Sequence, residues 1–374
     1  TNQMRFGWAP TVSSVPPRFA TFSALDRYFR IADPRTGGPP SLYFFVSADL
    51  IQLAKLFPDL RYPGIEGIDA ALSREGEPTA YFRCMDSNNS KETRQPFDPL
   101  HLLYDPVRDS FQDPQAIYPS LRLSVLRPSE DACRTSWIPS AAVMISRYPY
   151  RLESPPPIWQ DGALPAEKQR DILLQVITGK TPQAGLKLLM ESGFIAAHWP
   201  ELDRMRDVSH SKEYHPEGDA WDHTMETFRY RKNMNIPVSL ALLLHDTGKP
   251  LAEAAEGRRF DKHAEIGTGI AEKFLRRLEF PPSLIRDVLY LVKNHMLPGA
   301  LKLLPVYRVE GIMKSDLFPL LLEVYRCDLS STFRGPDSYY TACKVYRAFL
   351  KNSKNPFRTT EGKKIQYLRE YVER

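Results

Sequence analysis

The run Leu242-Leu243-Leu244-His245-Asp246-Thr247-Gly248-Lys249 places two metal-binding side-chain types at the polar end of an apolar helical stretch. Neighbours on a continuing helix diverge by about 100° and do not readily share one ion, so His245 and Asp246 act together only if the helix ends there. Gly248 is expected to turn the chain away as a C-terminal cap. Working outward, Asp219-Ala220-Trp221-Asp222-His223-Thr224 reads as an earlier helix and Glu323-Val324-Tyr325-Arg326-Cys327-Asp328 as a later one. Convergence of the three gathers His223, His245, Asp246 and Asp328, two imidazoles and two carboxylates, a mixture that catalytic metal ions accept. A His-Asp dipeptide alone is common. Of the eight histidines, however, His215, His223, His245, His263 and His295 crowd into residues 215–295.

The 374 residues exceed the roughly 100–200 of a single domain, so two or three domains are expected. With 42% hydrophobic and 25% charged residues the chain can bury real cores, which argues against disorder. A net charge of +5 is compatible with a phosphate-bearing partner and equally with a plain solvated surface. Cys84, Cys133, Cys327 and Cys343 lie far apart without a CxxC pair, the pattern of reduced thiols rather than a disulfide framework. No stretch reaches the roughly 18 apolar residues of a membrane span and no signal pattern opens the chain, so a cytoplasmic protein without a membrane partner is expected. Thr1-Asn2-Gln3, ahead of Met4, are left out of the fold.

Prolines punctuate the first half, and Pro155-Pro156-Pro157 reads as a linker, since proline neither continues a helix nor sits inside a ladder. Before it, Ser41-Leu42-Tyr43-Phe44-Phe45-Val46 reads as a strand and residues 49–57 as a helix, with further strands at 81–85 and 102–106. From Pro165 apolar residues recur at helical spacing almost to the end, including 239–244, 266–278, 284–292 and 318–325. The expected fold class is α+β: a small α/β head over 1–154, a helical neck over 155–205, and an all-α metal-binding domain over 206–374. The basic tail, with Lys344, Arg347, Lys351, Lys354, Arg358, Lys363 and Lys364, reads as a solvated helix face or as a nucleic-acid contact.

The order His223, His245-Asp246, Asp328 resembles the ligand order of the HD superfamily of metal-dependent phosphohydrolases. His263 in Asp261-Lys262-His263-Ala264-Glu265-Ile266-Gly267 and His295 in Lys293-Asn294-His295-Met296 extend the likeness. By that resemblance they join Asp246 at a second metal; the other reading has them hydrogen-bond substrate phosphate or water. One or two divalent ions are implied, and the ligand types admit Mn, Fe, Co, Ni, Zn or Mg. Tyr214-His215-Pro216-Glu217-Gly218-Asp219, then Trp221 and His223-Thr224, is similar to the opening of the HD domain in bacterial tRNA nucleotidyltransferases, the CCA-adding family. Ile172-Leu173 through Gly185-Leu186, Leu189, Gly193-Phe194 and Trp199-Pro200-Glu201-Leu202 looks like that family's neck, so the likeness covers about 165–335.

A working head of that family carries a glycine pair before an Arg-Asp dipeptide on its first helix, and an Asp-x-Asp on the next strand. Backbone amides at the turn cradle the triphosphate, and the two carboxylates hold magnesium. At Phe45-Val46-Ser47-Ala48-Asp49-Leu50 there is no glycine pair; Glu66 and Asp69 have the wrong spacing, and Asp86 is single. Asp98-Pro99-Leu100, Leu103-Tyr104-Asp105 and Asp113-Pro114 resemble the family's loop strand and turn. Glu130-Asp131-Ala132-Cys133-Arg134 resembles the start of its nucleotide-selecting helix, which Pro139 is expected to interrupt, leaving Arg147 as its remaining later arginine. The expected activity is phosphohydrolysis of a phosphate ester, a nucleotide or tRNA-related phosphate, at the HD site. Lys249 and Arg334 are candidates to neutralise phosphate, or else solvated cations, and His215 a candidate donor to the leaving group, or else a turn residue. The alternative is a tRNA-binding or nucleotidyltransferase-like protein in which the HD domain is structural or regulatory.

Overall fold

The computed structural model describes residues 17–31, 40–74, 77–84, 95–128, 134–208, 218–253, 260 and 262–351. The chain divides into two compact units, Thr1–Lys180 and Thr181–Arg374, so the divide falls inside the stretch read as a neck. A β-sheet head comes first, and a long all-α region follows.

In the head, β1 (Arg18–Ala20) leads into α1 (Thr21–Phe29), and β2 (Ser41–Val46) into α2 (Leu50–Leu56). With β3 (Ala70–Leu72), β4 (Thr79–Cys84), β5 (Leu103–Asp105) and β6 (Ser110–Gln112) they form a sheet of order β3-β4-β2-β1-β5-β6. β2 and β4 pair parallel, Ser41 opposite Thr79 through Val46 opposite Cys84, and the other pairs are antiparallel. Then come α3 (Tyr118–Arg122), β7 (Val125–Leu126), α4 (Arg134–Arg147), β8 (Arg151–Leu152) and α5 (Ala166–Ile177); β7 and β8 pair parallel in a second sheet. Asp49, the nearest carboxylate to β2, is a helix cap: it accepts from the Gln52 N–H at 2.7 Å while Gln52 accepts from the Asp49 N–H.

β2 is wholly apolar on one face and carries two hydroxyls, of Ser41 and Tyr43, on the other, because alternate residues point opposite ways. Leu42, Phe44 and Val46 pack with Leu53, Phe57 and Phe82 in a dry core. Ser41 and Tyr43, on the other face, both donate to the Asp171 carboxylate of α5, and Gln175 Nε2 donates to Ser41 Oγ at 2.7 Å. One turn earlier, Glu167 accepts from Tyr81 Oη at 3.0 Å and from both ends of the Arg61 guanidinium.

One expectation for the head is corrected. The helix is not interrupted at Pro139: α4 runs from Arg134 to Arg147 through it. Proline there removes one backbone donor, but Trp137, Ile138, Ala141, Ala142, Val143 and Met144 are all buried, and tertiary packing holds the turn. Arg147, the remaining later arginine, closes this helix. It is buried, donates twice to Asp26 at 2.7 and 3.1 Å, and donates again to Thr178 Oγ1 and Gln175 O.

The second unit begins with α6 (Pro182–Glu191), α7 (Phe194–His198) and α8 (Pro200–Asp203). α9 (Ala220–Thr227), α10 (Ile236–Leu244), α11 (Lys249–Glu253), α12 (His263–Arg277) and α13 (Pro282–Asn294) follow. The described region closes with α14 (Leu297–Ala300), α15 (Val306–Met313), α16 (Phe318–Ser330) and α17 (Asp337–Lys351). α10 is the central element: every side chain from Val238 to Leu244 is buried, the mark of a helix surrounded by others. It packs against α9, α13 and α16, and the ends of these helices carry the polar residues discussed next. No described helix is long and apolar enough to cross a membrane.

Candidate metal centre

α10 ends at Leu244 with His245 as its C-terminal cap, so His245 and Asp246 leave the helix together, as the adjacent ligands require. Gly248 does not achieve this by a left-handed turn, since it is absent from the positive-φ glycines. Its role is close approach. A Cβ there would meet His263 O at 2.0 Å and Gly267 N at 2.6 Å, so the missing side chain lets the start of α11 lie on the backbone of α12. That contact ties His245-Asp246 to His263. Gly248→Ala is expected to push the two backbones apart, costing about 1–3 kcal/mol and lowering metal content. Gly267→Ala, whose nearest new contact is Gly248 N at 3.2 Å, should cost less. Urea denaturation of both variants, with elemental analysis, checks this ranking.

Six side chains form two sets. His223, His245 and Asp328 offer ligand atoms within 4.8 Å of one another, and so do Asp246, His263 and His295. The Asp246 carboxylate stands between them. Its Oδ2 lies 3.2 Å from His245 Nε2 and 3.7 Å from His223 Nε2, whereas Oδ1 lies 3.7 Å from His263 Nε2. Asp328 Oδ1 is 2.9 Å from His223 Nε2 and 3.8 Å from His245 Nε2. The helices supplying these residues are α9, the ends of α10 and α13, the start of α12 and the last turn of α16.

The imidazoles are oriented by their other nitrogens. Nδ1 of His245, His263 and His295 donates to the carbonyls of Leu242, Phe260 and Val292 at 2.8, 2.9 and 2.8 Å, each three residues back. These carbonyls lie where helices start or end and backbone acceptors are left over. The bound Nδ1–H leaves Nε2 as a bare lone pair aimed into the centre, the form in which histidine binds metals. Two observations then call for a cation. His245 Nε2 is buried without a hydrogen-bond partner. His263 Nε2 and His295 Nε2 face each other at 3.1 Å, two acceptors with no proton between them. Protonation of that gap is opposed: burial first, and then the neighbouring His245, pushes His295 down to about 4, and burial also lowers His263. Each set can therefore hold one divalent ion.

Burial opposes ionisation of Asp246, but His245 first and then Lys249 outweigh it and hold the carboxyl well below the usual range. Asp328 is likewise lowered, chiefly by its hydrogen bond to His223 acting against burial. Both remain anions available to a cation. Lys249 is not a solvated cation: it is buried, its Nζ lies 2.6 Å from Asp246 Oδ2, and it sits 5.5 Å from the Phe260 ring centroid. Arg334 stands exposed on the turn after α16, outside the buried group. His215 lies outside the described residues, as do Asp86, Glu130, Asp131, Cys133 and the tail beyond 351. Sequence reading passed over Ser331, whose Oγ lies 3.2 Å from His223 Nδ1. The available signal was its spacing, three residues past Asp328 on one helix face.

A family model described as HD domain matches residues 220–324. The chain carries an HD domain. An HD domain furnished with these two ligand sets is a metal-dependent hydrolase domain, and it supports phosphohydrolase chemistry in general. Among curated proteins, the HD-bearing chain is 32% identical over 168 residues to a multifunctional CCA protein of Alkalilimnicola ehrlichii, 44% of this chain and 39% of that one. It is 32% identical over 181 residues to the CC-adding tRNA nucleotidyltransferase of Thermus thermophilus, 46% and 41% of the two chains. A multifunctional CCA protein of Halorhodospira halophila matches at 34% over 160 residues, 42% and 38%. The chain thus spans about two fifths of the length of the curated relatives it matches. Solved structures similar to it include a tRNA-processing enzyme in an apo form, with TM-score 0.45, 14% identity and coverage of 98% of this chain and 100% of that one. A CCA-adding enzyme with ATP gives TM-score 0.42, 13% identity and coverage of 92% and 81%.

Proposed function

We propose that this protein hydrolyses a phosphomonoester or phosphodiester of a nucleotide or RNA-related phosphate at the HD site. The observation that carries the reading is the Asp246 carboxylate, one oxygen toward His223 and His245 and the other toward His263. In this reading His223, His245 and Asp328 would hold one divalent ion and Asp246, His263 and His295 a second. Such ions, when bound, supply hydroxide at neutral pH and polarise a phosphoryl oxygen. The protein's own part is to hold four imidazoles with Nε2 inward and two carboxylates ionised. Lys249 sets a positive charge beside Asp246 that a phosphoryl oxygen can share, Arg334 offers a second cation, and His215 delivers the proton to the leaving group. The nucleotide or RNA character of the substrate draws support from the names of the relatives.

As-purified protein is expected to contain a divalent metal and to cleave an aryl phosphate or a 2′,3′-cyclic nucleotide. Chelation should abolish this activity and added metal restore it. Elemental analysis and a screen of phosphate esters decide the matter, and turnover that survives chelation sinks the proposal. The rival reading, nucleotidyl transfer by the head, expects extension of a tRNA lacking its 3′ end from CTP and ATP. The first helix of the head is α1, entered from β1 through Ala20-Thr21, and the next strand, β2, carries Ser41-Leu42-Tyr43. Neither a glycine pair nor an Asp-x-Asp stands there, which favours hydrolysis.

A further inference from the structure

His245, His263 and His295 each find their Nδ1 acceptor three residues back in their own chain segment, at the start or end of a helix. His223 cannot do the same. It sits within α9 (Ala220–Thr227), where interior carbonyls are engaged in the helical ladder. Its Nδ1 instead meets the hydroxyl of Ser331, the C-terminal cap of α16, at 3.2 Å. That hydroxyl has one proton. Ser331 Oγ lies 2.6 Å from Asp328 O, an oxygen to oxygen approach that is attractive only if the proton lies on it. Toward His223 the oxygen can then only accept. Nδ1 must carry a hydrogen, which leaves Nε2, 2.9 Å from Asp328 Oδ1, as the nitrogen whose proton a divalent cation would displace.

We propose that Ser331 is a positioning residue that fixes the tautomer and ring angle of His223, committing Nε2 to a divalent cation shared with His245 and Asp328. Ser331 also bonds the carbonyl of Asp328, so one hydroxyl orients two ligands of the same set. At the other three histidines the orienting acceptor is main chain and no substitution removes it. At His223 it is a side chain, and the sequence can lose it. Ser331 is itself buried, which keeps water from taking over as acceptor.

The inference rests on the reading of these residues as a metal centre, and the experiment separates the two. Full-length wild type, Ser331→Ala and Ser331→Thr are stripped and titrated with Mn(II) and with Zn(II), and affinity and stoichiometry are measured by competition with a chelating dye. The expected result is a loss of roughly 10–100-fold in affinity at one of the two sites in Ser331→Ala, the usual scale for an outer partner. Ser331→Thr, which keeps the hydroxyl, should recover most of it. In protein labelled with 15N-histidine, the metal-loaded wild type should show Nδ1–H at His223, assigned by its loss in His223→Gln. Ser331→Ala should weaken or remove that signal while the other three histidines stay unchanged. If wild type binds neither metal, the metal centre falls and this inference with it. If wild type binds and Ser331→Ala binds equally well with the same His223 signal, only the role of Ser331 falls. Should Ser331→Ala fold poorly, failure of Ser331→Thr to retain wild-type affinity and the His223 Nδ1–H overturns the proposal.

Discussion

Asp246→Asn is expected to leave a folded protein that has lost its hydrolytic activity and most of its bound metal. The side chain lies between the two ligand sets, so one neutralised carboxylate withdraws an anion from both. Asparagine has almost the same shape, but it places an amide N–H where Oδ1 or Oδ2 faces imidazole lone pairs. It also leaves Lys249 buried opposite a neutral group. Partners that merely orient a ligand cost about 10–100-fold in affinity or activity, and loss of a shared ligand should exceed the upper end of that range. Elemental analysis and kcat on an aryl phosphate measure it. Wild-type metal content together with wild-type turnover would remove Asp246 from the centre of the scheme.

The second large effect is on stability and lies in the head. Arg147→Met should cost about 3–5 kcal/mol, the range for breaking one side of a buried ion pair. Arg147 and Asp26 are both almost fully buried, and the carboxylate that remains keeps the Tyr148 hydroxyl, at 2.8 Å, as a side-chain donor. A matched double substitution, Asp26→Leu with Arg147→Met, should regain much of the loss, because no charge is then left buried alone. Urea unfolding followed by circular dichroism reads both. If the single and double variants are equally stable, the pair does not contribute as argued.

The HD domain was legible because its signal is chemical. Histidine and aspartate at helix ends are costly to bury without a purpose, and their order along the chain survives any uncertainty over helix boundaries. What the order could not convey is contact. Lys249 reads on paper as either a phosphate binder or a surface charge, and only packing against Asp246 and Phe260 reveals that it is buried. Gly248 has the composition of a helix cap but acts through the space a Cβ would have filled. Ser331 left no trace because an orienting hydroxyl looks like any serine in a last turn. In the head, the strand at 41–46 and the helix after it were legible from a short, aromatic-rich apolar run and the helical spacing of 49–57. The element before them was not: β1 is three residues long, too short to show a period. The first strand that the sequence reveals is therefore β2. Pro139 was misread since local propensity is weak against six buried neighbours.

The bonds between α5 and the sheet bear on how the protein can be divided. The proline run at 155–157 looks like the natural place to cut, and a fragment ending there would keep every strand. It would also expose Ser41, Tyr43, Tyr81 and Arg61 without Asp171 and Glu167, the carboxylates that receive them. Each of these hydrogen bonds contributes about 0.5–1.5 kcal/mol net, more where a charge takes part, and together they are a sizeable fraction of what holds a domain together. A fragment carried through Lys180 retains both acceptors. The visible hinge in the sequence is thus not the seam along which the fold comes apart, and α5, helical like everything after it, is by its bonding the last piece of the β-sheet head.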